Sequence, residues 1–201
     1  MYYCVFVGRP NAGKSSLIRK LTKHDPVVGK KPGSTRKINH YPITHNFEII
    51  DVPGWGRIHG RTQKYENKIK DKILDFFETN AANIAACIHV IDTKSLIEVS
   101  ERLAKKGIIP LDKELYLFLR GLELQPILAF NKIDKIPDFR VEQTIRYFIQ
   151  IVYEDSPIGI PQEDIISVSA TQNYNLDILR DQIRERFKSK NLEAFCRYIK
   201  V

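Results

Sequence analysis

The sequence predicts an α/β fold of the doubly wound kind, in which a mostly parallel six-stranded sheet carries helices on both faces. Two observations predict it. Apolar runs alternate along the chain with segments of helical periodicity, as in the βα units that build parallel sheets. Three of those runs, at 2–7, 85–91 and 126–130, are nearly continuous, as expected for strands covered on both sides. A chain of 201 residues can bury one sizeable core, so a single domain is expected.

The predicted strands and helices alternate along the chain. Strands are predicted at 2–7, 46–51, 85–91, 126–130 and 164–168. Because proline fits a sheet only at an edge, Pro42 predicts that the sixth strand is a short edge strand near 38–44. Helices are predicted where apolar residues recur every three or four positions, at 17–21, 69–76, 96–103, 115–122, 145–152 and 176–187.

The segment from Gly8 to Ser15 reads G-x-x-x-x-G-K-S and joins the first predicted strand to the first predicted helix. That context is the one a phosphate-binding loop requires. Its glycines let successive backbone N–H groups converge on phosphate oxygens at the positive end of the helix. Lys14 is predicted to reach the β- and γ-phosphates, and Ser15 to bind Mg²⁺. The predicted nucleotide contacts here are Gly8, Arg9, Pro10, Asn11, Ala12, Gly13, Lys14, Ser15 and Ser16.

A second motif, N-K-x-D at 131–134, follows the strand at 126–130 and predicts the base. The Asp134 carboxylate can accept hydrogen bonds from the N1–H and the exocyclic amine of guanine, whereas adenine would leave it unpaired. Asn131 is predicted to tie this loop to the phosphate loop, and the stem of Lys132 to cover one face of the base. After the strand at 164–168, Ser169 and Ala170 are predicted to offer a backbone N–H to the guanine O6.

Two further segments are predicted to sense the γ-phosphate. D-x-x-G at 51–54 follows a strand, so Asp51 is expected to hold Mg²⁺ through water and Gly54 to donate its N–H. The Gly- and Pro-rich stretch 28–36 is predicted to be a mobile loop. Thr35 is the predicted second protein ligand of Mg²⁺, with Ser34 as the alternative, and a plain surface turn remains an open interpretation. Gly33, Ser34, Thr35, Asp51, Val52, Pro53 and Gly54 complete the predicted nucleotide contacts.

Together the motifs resemble the translation-factor-related P-loop GTPases. The finer pattern is similar to that of the EngB (YihA-type) family over about residues 2–188. The matching strings are G-R-x-N-x-G-K-S-S-L at 8–17, P-G-S-T at 32–35 and D-x-P-G-aromatic-G at 51–56. The segment 105–112 is similar to the archaeal branch of that family. The chain departs from the family at Pro10, where serine is usual, and at Asn131, where bacterial members have threonine. The resemblance implies a G domain at 1–188, with a C-terminal tail at 189–201 that either docks on the body or adds a short helix.

Catalysis in such a site would rest on positioning and charge, with Lys14, Asn11, Thr35 and Gly54 as the predicted catalytic residues. Ras-type GTPases place a glutamine after D-x-x-G to orient water, but this chain has Trp55, so slow intrinsic turnover is expected. Alternatively, the Trp55 side chain could serve only to pack this loop, without a part in hydrolysis. Asn11 stands where potassium-stimulated relatives bind K⁺, which predicts stimulation by K⁺; a purely loop-shaping role for Asn11 is the open alternative.

A formal net charge of +8 points to an acidic partner. Lysines and arginines outnumber acidic residues around the two γ-phosphate loops, which predicts a phosphate-binding patch, although an ordinary solvated surface explains the excess equally well. The family resemblance favours ribosomal RNA or the large ribosomal subunit as that partner. The basic residues are Lys30, Lys31, Arg36, Lys37, Arg57, Arg61, Lys64, Lys68, Lys70 and Lys72.

We therefore expect a Mg²⁺-dependent GTPase that binds GTP and GDP and acts as a switch in large-subunit assembly, with a link to septation in cell division implied by the family. The alternatives are a nucleotide-gated scaffold with negligible hydrolysis, or a stand-alone G domain for tRNA modification or transport. Because no apolar run reaches 18 residues and no signal peptide is evident, a cytoplasmic protein without a membrane span is expected. We also expect a monomer.

Overall fold

The computed structural model describes residues 1–22, 37–56, 62–155 and 159–201. Six strands form one sheet, in the order β2-β3-β1-β4-β5-β6. Their bounds are β1 Tyr2–Val7, β2 Asn39–Thr44, β3 Phe47–Asp51, β4 Ile84–Asp92, β5 Ile127–Asn131 and β6 Ile165–Ser167. The predicted fold class, a doubly wound and mostly parallel sheet of six strands, is confirmed.

The pairing of β2 is the exception to parallel order. Strands β3, β1, β4, β5 and β6 run parallel to one another, while β2 pairs antiparallel with β3. The β2–β3 register shifts between Pro42 and Thr44, at the edge of the sheet where the missing proline N–H removes no ladder bond. The edge strand expected near 38–44 is therefore present.

Helices cover both faces of the sheet, because alternate strand residues point to opposite sides. Cys4 and Phe6 of β1 pack into the core shared with the first and last helices, whereas Val5 and Val7 pack on the opposite side. The helices are α1 Lys14–Thr22, α2 Gln63–Asn80, α3 Leu96–Ala104, α4 Leu111–Gly121, α5 Asp138–Tyr153 and α6 Leu176–Lys188. In the described part of the chain, none of these helices is long and apolar enough to cross a membrane.

The segment 189–201 both docks and adds a short helix. Residues Glu193–Tyr198 form a 3₁₀ helix, and the Phe195 ring stacks on that of Phe47 with 4.3 Å between centroids. Ile199 is fully buried, and the N–H of Lys200 donates to the Leu21 carbonyl at 2.6 Å. The tail thus completes the core on the α1–α6 face.

Candidate functional site

The predicted nucleotide-binding loops meet at one edge of the sheet. The loop before α1 follows β1, Asp51 ends β3, Asn131 ends β5, and Ser169 follows β6 shortly after its end. Because β3, β1, β4, β5 and β6 are parallel, their carboxyl ends lie at the same edge. Ligands of open α/β sheets bind at this edge.

Two glycines of the first loop occupy positions where any other residue would be strained. Gly8 has φ 147°, and a Cβ there would overlap the Val90 carbonyl oxygen. Gly13 has φ 103°, and its Cβ would overlap the side-chain amide of Asn131. The loop therefore curls tightly against β4 and β5, with its backbone directed toward the N-terminus of α1, where anions are favoured.

Lys14 lies folded into this loop. Its Nζ donates to the carbonyl oxygens of Gly8 and Arg9, both at 3.0 Å, and the residue is only 6% exposed. Burial lowers the pKa of Lys14 to about 8, against the opposing effect of the Asp51 and Asp112 carboxylates. A phosphate at the loop would give the ammonium group anionic oxygens in exchange for these carbonyls.

Ser15 and Asp51 form the candidate Mg²⁺ site. The Ser15 hydroxyl donates to Asp51 Oδ2 at 2.6 Å, and Asp51 is 1% exposed. A hydroxyl and a carboxylate are oxygen donors of the kind that Mg²⁺ takes together with phosphate oxygens and water. The two residues therefore fit the ion. Thr35, the predicted third ligand, lies outside the described residues, as do Gly33 and Ser34.

The D-x-x-G segment lies directly against the phosphate loop. Val52 N–H donates to the Phe6 carbonyl at 3.1 Å, and Trp55 N–H donates to the Gly8 carbonyl at 3.0 Å. A Cβ on Gly54 would come within 2.5 Å of the backbone nitrogen of Pro10. Only glycine permits this approach, which brings the predicted γ-phosphate sensor next to the loop that would hold the phosphates.

Trp55 is packed rather than directed toward the phosphate loop. The residue is 2% exposed, its indole N–H donates to Glu114 Oε2 at 2.8 Å, and its ring stacks on Phe118 with centroids 5.7 Å apart. Lys70 Nζ lies 4.9 Å from the centre of the indole and donates to Glu114 Oε1 at 2.7 Å. Of the two roles considered for Trp55, this geometry favours packing.

Asn131 connects the candidate base loops to the phosphate loop. Its Nδ2 donates to the Ala12 carbonyl at 2.9 Å, as the sequence predicts, and its Oδ1 accepts from the Ala170 N–H at 3.1 Å. This second hydrogen bond uses the backbone N–H of Ala170, which the sequence predicts to donate to the guanine O6. The amide of Asn131 is therefore where three loops converge.

Asp134 is positioned by its neighbours as an ionised acceptor. Its Oδ1 accepts from the Ser169 hydroxyl at 2.7 Å, and Lys135 Nζ lies 2.9 Å from Oδ2. The hydrogen bond from Lys135, followed by that from Ser169, lowers the pKa of Asp134. An ionised carboxylate at this position suits the two guanine donors.

Lys132 and Asn11 have left-handed backbone conformations, with φ 67° and 64°. Lys132 Nζ donates to Asp92 Oδ2 at 2.7 Å, which fixes the stem predicted to cover the base. Asn11 is exposed on the phosphate loop, as is Ser16 at the start of α1, whereas Ala12 is buried. The left-handed conformation is one that asparagine tolerates better than most residues, so Asn11 also serves the loop-shaping interpretation.

A buried ion pair lies behind the phosphate loop, and the sequence motifs do not indicate it. Arg9 Nε lies 2.6 Å from Asp112 Oδ2, and Arg9 Nη2 donates to the Ser95 hydroxyl at 3.2 Å. His89, fully buried on β4, has its Nε2 3.5 Å from Asp112 Oδ1. Asp112 is the second residue of α4 and the last residue of the 105–112 segment that resembles the archaeal branch of the family.

The predicted basic region is described in part. Lys64, Lys68 and Lys72 lie exposed on α2, Lys37 is exposed just before β2, and Lys70 is paired with Glu114. The other predicted members lie outside the described residues: Lys30, Lys31, Arg36, Arg57 and Arg61.

Comparison with known proteins gives concordant matches. A family model described as "50S ribosome-binding GTPase" matches residues 3–132. A probable GTP-binding protein EngB of Methanopyrus kandleri is 35% identical over 199 residues, which span 98% of this chain and 98% of that protein. A probable GTP-binding protein EngB of Pyrococcus horikoshii is 38% identical over 186 residues, covering 92% of this chain and 84% of that protein.

A solved structure shows the same likeness. The crystal structure of a probable GTP-binding protein EngB is 37% identical and has a TM-score of 0.81, covering 93% of this chain and 99% of that one. The similarity therefore extends well beyond the motif residues, over nearly the full length of the fold.

Proposed function

Because the chain belongs to the EngB family of GTP-binding proteins, we propose that it is a Mg²⁺-dependent GTPase whose GTP and GDP forms differ in affinity for a ribosomal partner. The convergence of three loops on Asn131 carries the proposal. The phosphate loop accepts its Nδ2 hydrogen bond at Ala12, the loop after β6 donates to its Oδ1 at Ala170, and Asp134 follows three residues later. One guanine nucleotide could contact all three loops.

The residues at the phosphate end of the site support the proposed hydrolysis. Lys14 and the N-terminus of α1 would hold the phosphates, and Ser15 and Asp51 would hold Mg²⁺. When bound, Mg²⁺ would neutralise charge that develops on the β- and γ-phosphate oxygens. Gly54, which touches Pro10 of the phosphate loop, is the residue best placed to report a γ-phosphate.

We propose that intrinsic hydrolysis is slow. The residue after Gly54 is a tryptophan whose indole N–H is bonded to Glu114, so the side chain has no group free to orient water. The exposed Asn11 side chain is the candidate ligand for a stimulating K⁺ ion. Single-turnover hydrolysis should be faster in KCl than in NaCl, and Asn11→Ala should abolish the difference; equal rates in the two salts for the native chain would eliminate the K⁺ proposal.

The buried Trp55 also favours a second candidate function, a scaffold gated by nucleotide binding with negligible hydrolysis. Single-turnover measurements with and without purified large ribosomal subunits separate the two. Release of phosphate only when subunits are present supports a GTPase activated by its partner. No release under either condition, together with normal GTP binding, supports the scaffold.

The ribosomal partner is proposed from charge and from the description of the matching family model. Lys64, Lys68 and Lys72 recur every four residues along the exposed side of α2, the helix that follows the D-x-x-G segment. The same helix exposes Asp71 and Asp75, which moderate the local charge. A lysine row beside a γ-phosphate sensor would bind phosphate backbones in a nucleotide-dependent way.

Co-sedimentation with large ribosomal subunits tests this partner, with GDP compared with a non-hydrolysable GTP analogue at two salt concentrations. Substitution of Lys64, Lys68 and Lys72 by glutamine should weaken binding and lower the salt slope by roughly 0.7–0.9 per lost phosphate contact. The matched control replaces Lys20, Lys188 and Lys200, which are exposed on the α1–α6 side. An equal loss of subunit binding in both triple variants would show that the interaction depends only on the net charge of the protein.

A further inference from the structure

The first turn of α4 contacts both phosphate-facing loops of the candidate site. Asp112 Oδ2 lies 2.6 Å from Arg9 Nε of the phosphate loop. Two residues later, Glu114 Oε2 accepts a 2.8 Å hydrogen bond from the Trp55 indole, directly after Gly54. One helical turn therefore holds the two loops relative to each other.

The Asp112 contact is the fixed end of this connection. The side chains of Arg9 and Asp112 are only 9% and 2% exposed, and Arg9 also donates to Ser95 at 3.2 Å. Separating a buried ion pair would leave both charges without solvent, which is strongly unfavourable. This contact should persist whatever the nucleotide.

The Glu114 contact, by contrast, is open to solvent. The side chains of Glu114 and Lys70 are 31% and 43% exposed, so water can replace the bonds they make to each other and to the indole. Lys70 Nζ donates to Glu114 Oε1 at 2.7 Å and lies 4.9 Å from the centre of the Trp55 ring. Breaking the hydrogen bond between Trp55 and Glu114 therefore has a modest cost in itself.

Space for such a movement lies beside the indole. The described residues line a cavity of about 260 Å³ next to Trp55, with Lys70, Ile108, Leu111 and Glu114 among its walls. This cavity gives the indole space into which it could turn. Gly54 could then move away from Pro10 once the backbone N–H of Trp55 also releases the Gly8 carbonyl, to which it donates at 3.0 Å.

We propose that Glu114 is a positioning residue that holds Gly54 against the phosphate loop through Trp55, and that GTP releases Trp55 from Glu114 while the Asp112–Arg9 pair stays closed. The inference rests on the proposed nucleotide switch and names its moving part. Gly54 is in van der Waals contact with Pro10, and a γ-phosphate oxygen received between them requires their separation. Glu114 opposes that separation and so favours GDP over GTP.

Trp55 is the single tryptophan of the chain, so its fluorescence reports this movement directly. The full-length protein with Mg²⁺ is titrated with GDP and with a non-hydrolysable GTP analogue. We expect the analogue, but not GDP, to shift the emission to longer wavelength. Equilibrium dialysis of the same two nucleotides measures affinity independently of the indole.

The variants separate the hydrogen bond from mere burial. Glu114→Ala should give the shifted emission without nucleotide and raise the affinity for the analogue relative to GDP by about fivefold, the size expected for a partly exposed charge-assisted bond. Glu114→Gln keeps an acceptor oxygen for the indole and should restore most of the native ratio. Glu78→Ala, which removes an exposed carboxylate near the end of α2, should match the native protein.

Three outcomes would overturn the proposal. One is identical native emission with GDP and the analogue, which needs no variant and is therefore independent of how any variant folds. Another is an unchanged affinity ratio in Glu114→Ala. A third is a fall in the relative affinity for the analogue, which would assign Glu114 to the GTP-competent loop. If neither nucleotide binds in dialysis, both the proposed function and the proposed role of Glu114 are wrong. If both nucleotides bind but neither changes the Trp55 emission, only the proposed role of Glu114 is wrong.

Discussion

Asn131 and Ala12 are 119 residues apart in the sequence, yet the Asn131 side-chain amide donates a 2.9 Å hydrogen bond to the Ala12 carbonyl. The same side chain accepts the Ala170 N–H at 3.1 Å and is 2% exposed. A carboxamide can donate to one loop and accept from the other through a single planar unit. Asn131 therefore sets the distance between the candidate phosphate and base subsites.

Asn131→Asp tests this role at constant volume. The aspartate keeps an oxygen for the Ala170 N–H but directs a second oxygen at the Ala12 carbonyl, where a donor is needed. We expect about 1–3 kcal/mol lower stability in urea denaturation and a GDP affinity at least about tenfold weaker by calorimetry. Asn191→Asp, at an exposed residue with φ 57°, is the control and should change neither value. Native affinity in Asn131→Asp would contradict a linking role.

Asp134→Asn should change which base is bound. The Ser169 hydroxyl donates to Asp134 Oδ1, so the asparagine oxygen would take that position and its amide would face the base. An amide cannot accept from both guanine donors, but it can donate to the 2-carbonyl of xanthine. We expect GDP affinity to fall on the order of a hundredfold or more, and xanthosine diphosphate to become the better ligand.

Competition binding with the two diphosphates measures the exchange of specificity. Asp138→Asn is the control, since it removes an exposed carboxylate at the start of α5, outside the N-K-x-D motif. If Asp134→Asn keeps its preference for GDP, another group reads the base edge.

Gly8→Ala should destabilise the protein, whereas Gly121→Ala should not. At Gly8 the φ of 147° is strained for alanine, and the new methyl group would overlap the Val90 carbonyl oxygen. We expect a loss of about 2–4 kcal/mol, measured by urea denaturation. Gly121 is the last residue of α4 and has open space around it, so alanine there should add up to about 1 kcal/mol. Equal stabilities for the two variants would contradict the close approach of the phosphate loop to β4.

The three cysteines should differ in reactivity. Burial raises the pKa of the Cys4 and Cys87 thiols far above their usual range, whereas Cys196 is only partly buried. A thiol with a raised pKa stays neutral at pH 8, so Ellman's reagent should label one cysteine in the native protein and three in urea. Because the folded state retains those protons, stability should fall as the pH rises above about 9. Rapid labelling of two or three native thiols would contradict this.

Most of the candidate site could be predicted from the sequence, because its residues act through backbone conformation and chain order. Gly8 and Gly13 are needed where φ is positive, and Asp51 and Asn131 each end a parallel strand. Pro42 predicted the edge strand for an equally local reason, since proline cannot donate to an interior ladder. These signals lie within a few residues of the structure they specify.

The contacts of α4 could not be predicted in that way. Asp112 and Glu114 lie in an ordinary amphipathic helix, and their pairing with Arg9 and Trp55 depends on how α4 packs on the sheet. Nothing in the sequence near Arg9 indicates a buried carboxylate. The single hint was Trp55, an aromatic residue where a water-orienting polar one was expected.

The tail should contribute to stability rather than to nucleotide binding. Phe195 is 5% exposed and stacks on Phe47, while its edge meets the Phe187 ring with centroids 6.1 Å apart. Phe195→Ala removes this contact from the α1–α6 face and should cost about 3–5 kcal/mol in urea denaturation. Phe139→Ala, at a ring that is 67% exposed, should change stability by less than about 0.5 kcal/mol. GDP affinity should be native in both variants at temperatures where they are folded, since Phe195 packs on Phe47 and Phe187 and Lys200 bonds to the end of α1, away from the candidate nucleotide loops. A loss of GDP affinity in folded Phe195→Ala would instead connect the tail to the nucleotide site through α1, whose Leu21 carbonyl accepts the Lys200 N–H.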